Sequence, residues 1–314
     1  MIGVVFSWDG LLTEIMDGSS NLLSINYNTN CFWILWYKNR YALIKINFNR
    51  ANMKRRAFVK SSLLLTSLSS LMPAVSNASS KKSKQEFYEL RVYTLKNETQ
   101  EKLVDNYFQA AAIPALNRLG SKNIGVFKEL KPEGQTKIFV LIPFASLDDF
   151  LKLEEKLFKD ATYQQAGAAY LTAPATEPAY DRIESSLMRA FVHIPRMEVP
   201  QNKPRIFELR RYESATETAG KKKIEMFNDA GEIDIFKRVG MTPVFFGETL
   251  IGGMRPNLTY MLTFDDMDEH DRNWKTFGSD PEWKKISSMP EYANSKIVSR
   301  ITRTFLVPTA FSQV

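Results

Sequence analysis

The chain has 314 residues, of which 44% are apolar and 25% charged, with a formal net charge of +7. This composition excludes a disordered chain, and the length allows two ordinary domains and a tail. Residues 1–78 hold eight Lys or Arg and three Asp or Glu, leaving 34 basic against 32 acidic side chains beyond them, too even a balance for a nucleic-acid surface.

The first 52 residues are crowded with Asn, Ile, Tyr, Phe and Trp and show neither a helical nor a strand period. From Met53 the chain reads Met-Lys-Arg-Arg-Ala-Phe-Val-Lys, followed by an apolar stretch, Leu63 to Val75, and then Ser76-Asn77-Ala78. A basic start, a short apolar stretch and small residues at the end make a secretory signal. Arg55-Arg56 with Phe58 and Lys60 is similar to the twin-arginine consensus. The apolar stretch is too short and too rich in Ser and Thr to hold a bilayer. The expectation is therefore a twin-arginine signal over residues 53–78, removed on export to the periplasm or another extracytoplasmic space, with no stable membrane insertion afterwards. Translation is expected to start at Met53, which makes residues 1–52 a spurious upstream extension. The single cysteine, Cys31, lies in that extension. The mature protein then has no disulfide, thiolate metal site or cysteine nucleophile.

Beyond the signal the sequence repeats itself. Phe87-Tyr88-Glu89-Leu90-Arg91-Val92-Tyr93 returns as Ile206-Phe207-Glu208-Leu209-Arg210-Arg211-Tyr212, 119 residues later. Leu119-Gly120 returns as Val239-Gly240, and Asp160-Ala161-Thr162-Tyr163 as Asp280-Pro281-Glu282-Trp283. Val140-Leu141-Ile142 is set against Met261-Leu262-Thr263, and Leu187–Phe191 against Ile301–Phe305. In the first copy, alternation predicts strands over Glu86–Leu95, Ile124–Leu130, Lys137–Phe144 and Ile183–Val192. Helical spacing predicts helices over Glu98–Leu119, Leu147–Phe158 and Tyr163–Leu171. The second copy repeats the order: strand Arg205–Glu213, helix Glu217–Val239, strands Thr242–Leu250 and Leu258–Phe264, helix Met267–Phe277 and strand Lys296–Leu306. The copies span residues 86–192 and 205–306, joined by a Pro-containing linker at 193–204 and followed by a tail at 307–314.

The order βαββαβ specifies a ferredoxin-like α+β unit, an antiparallel sheet with helices on one face. The other face must be buried. Two copies on one chain bury both by closing into a barrel-like pseudo-dimer, and a homodimer of the whole chain remains open.

Side chains at i, i+2 and i+4 share a strand face. Glu89, Arg91 and Tyr93 therefore point one way, opposite Tyr88, Leu90 and Val92. Glu208, Arg210 and Tyr212 do the same, opposite Phe207, Leu209 and Arg211. The apolar sets are expected on the helices and the polar sets in the barrel interior. There the polar sets form either the wall of a ligand cavity, with a phenol as acid, or an ion pair that fixes strand register. Arg272, Trp274, Phe277 and Trp283 form a second candidate group, read as pocket lining or as core. The acids Asp265, Asp266, Asp268, Glu269 and Asp271 around His270 suit a helix start. His270 and His193 stand too far apart to suggest a metal site. Lys221-Lys222-Lys223 reads as a solvated helix face. No phosphate loop or nucleophile elbow is present.

These residues resemble the NIPSNAP family. The signs are Glu-Leu-Arg-x-Tyr opening each copy, Phe236-Lys237-Arg238-Val239-Gly240, and Arg272-x-Trp274 before Phe277-x-x-Asp280-Pro281-Glu282-Trp283. The second copy carries the pattern in full. In the first, Phe158–Tyr163 lacks the tryptophans and the Pro-Glu pair, so that half reads as degenerate. The resemblance implies the dimeric α/β-barrel superfamily, which includes cofactor-free monooxygenases, haem-binding enzymes and plain ligand binders, so the fold does not fix the activity. The leading expectation is a module that binds a small apolar or amphipathic ligand inside the barrel. A monooxygenase- or isomerase-like enzyme and a partner-binding protein with a filled core are the alternatives. No cofactor or metal is predicted, with haem and flavin left open, and nucleic acid is not an expected partner.

Overall fold

A computed structural model describes residues 84–314 and, apart from them, a short antiparallel pair, β1 (Trp33–Tyr37) and β2 (Arg40–Ile44). The expected signal at 53–78 and the start at Met53 lie outside the described residues.

The first repeat runs β3 (Phe87–Leu95), α1 (Glu98–Tyr107), α2 (Ile113–Arg118), β4 (Gly125–Glu129) and β5 (Thr136–Phe144). Four short helices follow, α3 (Leu147–Leu151), α4 (Leu153–Lys159), α5 (Ala161–Ala166) and α6 (Ala168–Leu171), and then β6 (Arg182–Ala190). The second runs β7 (Ile206–Glu213), α7 (Glu217–Asn228), α8 (Glu232–Arg238), β8 (Thr242–Ile251) and β9 (Asn257–Phe264). It ends with α9 (Met267–Ser279), α10 (Pro281–Ser287), α11 (Asn294–Ile297) and β10 (Arg300–Pro308).

Helix starts follow the capping chemistry in the sequence. Asn97, Ser146, Asp160, Thr216, Asp266 and Asp280 each accept a backbone N–H of the first turn. The acids before His270 thus begin α9, with Asp266 as its cap. One continuous helix was expected in each repeat over the segment that follows its first strand. In the first, a π-helical turn at Phe108–Ala112 joins α1 to α2. Pro114 in the first turn of α2 has no N–H to donate, and the wider turn absorbs that loss. In the second, Gly231 at φ +89° breaks the rod between α7 and α8.

Within each half the strands lie in the same antiparallel order, β6-β3-β5-β4 and β10-β7-β9-β8, the ferredoxin-like arrangement. The halves join at both edges: β6 pairs with β8, and β10 pairs with β4. The result is a closed eight-stranded antiparallel barrel, in which every edge strand finds its partner in the other half. The fourth strands match residue for residue, Arg182–Ala190 with Arg300–Pro308. This corrects the alignment of Leu187 with Ile301. Leu187 faces Glu89 as Phe305 faces Glu208. Helix α11 occupies the stretch at 294–297 where the last strand was expected to begin. Residues 307–314 are not a loose tail either. Thr309 N–H donates to Val126 O and Gln313 N–H to Ile124 O, so the segment continues along β4.

An eight-stranded barrel has an interior just wide enough for side chains to fill. Here Tyr88, Phe127, Met188, Phe207, Phe245 and Met261 fill it. The two halves interlock by exchanging a glycine and a phenylalanine. On β4 the inner positions are Gly125 and Phe127, and on β8 they are Phe245 and Gly247. A Cβ on Gly247 would stand 2.9 Å from Met188 Cβ, so Met188 of the first half requires the glycine of the second. Met197 of the linker and Val314 pack against the same interior. Two further cores lie between sheet and helices, one per half. No helix among the described residues is long and apolar enough to cross a membrane.

Candidate functional site

The polar strand residues face the helices, not the barrel interior. Tyr93 packs with α1 and α2 in the first outer core and Tyr212 with α7 and α8 in the second, whereas Tyr88, Leu90, Phe207 and Leu209 line the barrel. This reverses the expected faces. The reason lies in the partners each side offers. The middle of the interior is packed with the rings of the neighbouring register and leaves polar groups room only at its end. The helices carry an indole and an imidazole, and their open flank lets a guanidinium reach water.

In the second half these groups converge on Glu208, whose side chain is 0% exposed. Arg210 Nη1 donates to its Oε1 at 2.9 Å, and Trp274 Nε1 to its Oε2 at 2.9 Å. His270 Nε2 stands 3.4 Å from the same Oε2, and Arg303 Nε lies 4.0 Å from Oε1. Arg210 also donates to Tyr212 Oη at 3.0 Å, and Tyr260 Oη to Tyr212 Oη at 3.5 Å. The Arg210 guanidinium sits over the Trp274 ring at 4.3 Å. Burial opposes its charge, but Tyr260, Tyr212 and Glu208 hold it protonated above its ordinary value. Burial drives the Tyr260 hydroxyl well above the usual phenol range, so it stays protonated near neutral pH.

The first half repeats the motif with other neighbours. Arg91 grips Glu89 with two bonds, at 2.8 and 2.9 Å, and Ser185 Oγ donates to Glu89 at 2.7 Å. Phe150 and Glu154 hold the repeat positions of His270 and Trp274. Tyr93, Tyr107, Tyr163 and Tyr170 gather there instead. Tyr107 and Tyr163 share a hydrogen bond of 2.8 Å, and Tyr170 Oη donates to Tyr93 Oη at 3.4 Å.

Of the residues singled out in the sequence, Glu208, Arg210, Tyr212 and Trp274 come together. Trp283 lies one ring away, against Phe277 at 4.4 Å. Glu89, Arg91 and Tyr93 form the separate counterpart. Arg272 is exposed, and its side chain enters no hydrogen bond or ion pair among the described residues. The sequence reading missed two members. His270 is one turn from Trp274 on α9, an i, i+4 spacing that puts both on one face. Lys223 was assigned to a solvated face but is 2% exposed. Its Nζ lies 3.0 Å from Glu232 and 4.5 Å from the Phe227 ring. Burial raises the Glu232 carboxyl above the usual range, and Lys223 opposes that rise.

The open space inside the barrel lies at its other end, the end of Val92 and Arg211. A pocket of about 110 Å³ has a floor of Leu90, Val92, Phe139 and Leu209 and a rim that includes Glu184, Ser186, Arg211, Thr259, Thr302 and Thr304. Strand register explains this. Arg211 pairs across to both Thr302 and Thr259, and Val92 to both Glu184 and Phe139. Arg211 is held by Glu213 at 3.1 Å. Thr302 Oγ1 is buried and has no hydrogen-bond partner among the described residues. A larger open groove of about 570 Å³ runs outside the barrel between α1 and the end of β10. Its lysines are already matched, Lys128 by Glu101 and Asp105 and Lys102 by Glu98.

A NIPSNAP family profile matches residues 88–192 and again 207–313. The chain belongs to the NIPSNAP family. The two matched spans are the two halves of the barrel, so this NIPSNAP chain holds both in one polypeptide. No curated protein matches it. Among solved structures, an uncharacterized NIPSNAP-like domain protein from Burkholderia xenovorans is similar at 19% identity. That match covers 34% of this chain and 88% of that one, with a TM-score of 0.31. A NIPSNAP family protein from Agrobacterium tumefaciens aligns at 18% identity over 34% and 96%, with a TM-score of 0.30. A provisionally assigned monooxygenase from Fusobacterium nucleatum aligns over both halves, at 10% identity, 72% and 93% coverage and a TM-score of 0.47.

Proposed function

We propose that this NIPSNAP protein is an extracytoplasmic binding module that holds a small molecule with a polar head at the mouth of its barrel. The observation that carries this reading is the convergence of both halves on one pocket. Apolar floor residues and hydroxyl, carboxylate and guanidinium groups come from β3, β5 and β6 on one side and β7, β9 and β10 on the other. An amphipathic ligand fits that gradient, its apolar end on Leu90 and Leu209 and its polar end at Arg211 and the threonines. Thr302 Oγ1 supplies an uncommitted hydroxyl. At about 110 Å³ the pocket has the volume of roughly four waters, below the ~300 Å³ where drug-sized sites begin. The ligand class is therefore a short carboxylic acid, alcohol or amide and not a flavin or haem. The Glu208 centre is read as structural, since its carboxylate, indole and guanidinium already serve one another. Periplasmic residence follows from the signal reading of residues 53–78.

Mass spectrometry of the protein purified from its native host tests both parts. The mature chain is expected to begin near residue 79 and to release one small molecule on denaturation. Leu209→Trp and Ser186→Leu, which fill the floor and the rim, should lose that molecule while Arg210→Ala keeps it. Retention by both mouth variants at unchanged melting temperature, or a wild-type protein that carries nothing, contradicts the reading.

A further inference from the structure

The groove of about 570 Å³ outside the barrel carries polar groups that the fold does not use. One wall is a face of α1 and the turn after it. Asp105 and Asn106 stand four and three residues before Gln109, so all three share that face. Asn106 and Gln109 are exposed, and their side-chain amides enter no hydrogen bond among the described residues. Asp105 Oδ2 accepts from Lys128 at 2.6 Å, while its Oδ1 is buried and has no partner among the described residues. The facing wall is apolar and is made by Val307, Pro308, Ala310 and Phe311. In the second half the same place is closed. Glu225 and Asn228 hold there the repeat positions of Asn106 and Gln109. His193 N–H, from the segment after β6, donates to Asn228 Oδ1 at 3.1 Å. Glu225 accepts from Lys222 at 2.8 Å and from Tyr292 at 2.9 Å. The segment after β10 bonds to β4 and makes no such bond to α1, so the first-half groove stays open with its amides unspent.

We propose that this groove binds a neutral sugar, a monosaccharide or a disaccharide. The charges select against ionic ligands. Lys128 is held by Glu101 and Asp105 and Lys102 by Glu98, so a phosphate or carboxylate finds no free cation, and an ammonium group would face both lysines. What remains uncommitted is two amides and one carboxylate oxygen. A sugar ring matches both walls. Its edge carries adjacent hydroxyls, each a donor and an acceptor, which the planar amides and the carboxylate oxygen can take together. Its C–H face is apolar and lies against Phe311 and Pro308, as rings accept apolar groups on their faces. The volume falls within the ~300–1,000 Å³ of small-molecule sites. The groove shares no lining residue with the mouth of the barrel, so the two sites are separate.

Saturation-transfer NMR of the purified protein with millimolar glucose, galactose, maltose and lactose tests this. Transfer to the ring protons of at least one of the four is expected. Asn106→Ala and Gln109→Ala should each weaken that binding about threefold to tenfold, the worth of one neutral hydrogen bond. Both should melt at the wild-type temperature, because the fold uses neither amide. Ala310→Trp, which fills the groove, should abolish the transfer, and Leu209→Trp at the mouth should leave it unchanged. Absence of transfer to all four sugars overturns the proposal. So does transfer that survives both Gln109→Ala and Ala310→Trp, which would put the sugar elsewhere. Tighter binding of glucose 6-phosphate or glucuronate than of glucose would make the groove an anion site and would also overturn it.

Discussion

Replacing Lys223 with Met is expected to lower the stability of the folded chain by about 3–5 kcal/mol, the usual cost of leaving one member of a buried ion pair alone. Lys223 and Glu232 are 2% and 3% exposed, on α7 and α8, and they hold together the two helices that Gly231 separates. Once the lysine is gone, Glu232 stays buried without its ion-pair partner. Removing both, as Lys223→Met/Glu232→Leu, should recover most of the loss, because a packed apolar pair of similar volume often equals a buried salt bridge. The pH dependence has a definite sign. A carboxyl whose folded pKa is raised is best tolerated below its ordinary value, and it costs stability as the pH climbs through the raised value. Burial raises Glu232 and Lys223 restrains the rise, so the single variant should lose more at pH 8 than at pH 5. Urea unfolding at both pH values checks this. A single variant within experimental error of wild type at pH 8 would show that the pair contributes nothing.

Glu208→Gln should be the second severe change, again by about 3–5 kcal/mol, since it leaves Arg210 without its carboxylate in a desolvated site. The amide keeps the shape and can still accept from Trp274, so the loss reports charge and not volume. Glu89→Gln should cost clearly less. Arg91 is 21% exposed where Arg210 is 12%, and water can replace part of what is lost. The comparison uses the duplication as its own control, and thermal unfolding of the two variants side by side reads it. Equal losses in the two halves would mean that burial does not set the cost. The reading of Glu208 as structural also requires that Glu208→Gln still carry the molecule held at the mouth.

The repeat, the strand order and the closure into a barrel were legible because each rests on a period that local sequence carries. Glu89-Leu90-Arg91 and Glu208-Leu209-Arg210 announce the duplication, and two bare sheet faces on one chain demand each other. The direction of those faces was not legible. Alternation divides Glu208 from Leu209, but it does not say which of them meets a helix. That choice depends on Trp274, a donor 66 residues away, on His270 beside it, and on a barrel interior already filled by rings. The mouth was half visible. Arg211 stood on the apolar face where the first repeat has Val92, a break in the pattern that marks where the interior turns polar. Lys223 was misread because a run of three lysines gives no sign of which one the helix turns inward, and its partner Glu232 lies beyond a break that the sequence reading bridged. The register of β10 slipped by four residues because Leu187–Phe191 and Ile301–Phe305 carry Arg and Phe at the same spacing, and only the pairing to β3 and β7 shows which residues correspond.

The central claim is that the two halves make one barrel, so that the mouth exists only where they meet. Native-state hydrogen exchange tests it most directly at amides that bond across the two seams: that of Phe191, which donates to Phe246 O where β6 meets β8, and those of Leu130 and Thr309, which donate to Phe305 O and Val126 O where β4 meets β10. The closed barrel predicts that these amides exchange only through global unfolding, with the same protection as the ladder between β3 and β5 inside one half. Seam amides that exchange freely while the ladders within each half stay protected would mean two separate domains, and would contradict the account.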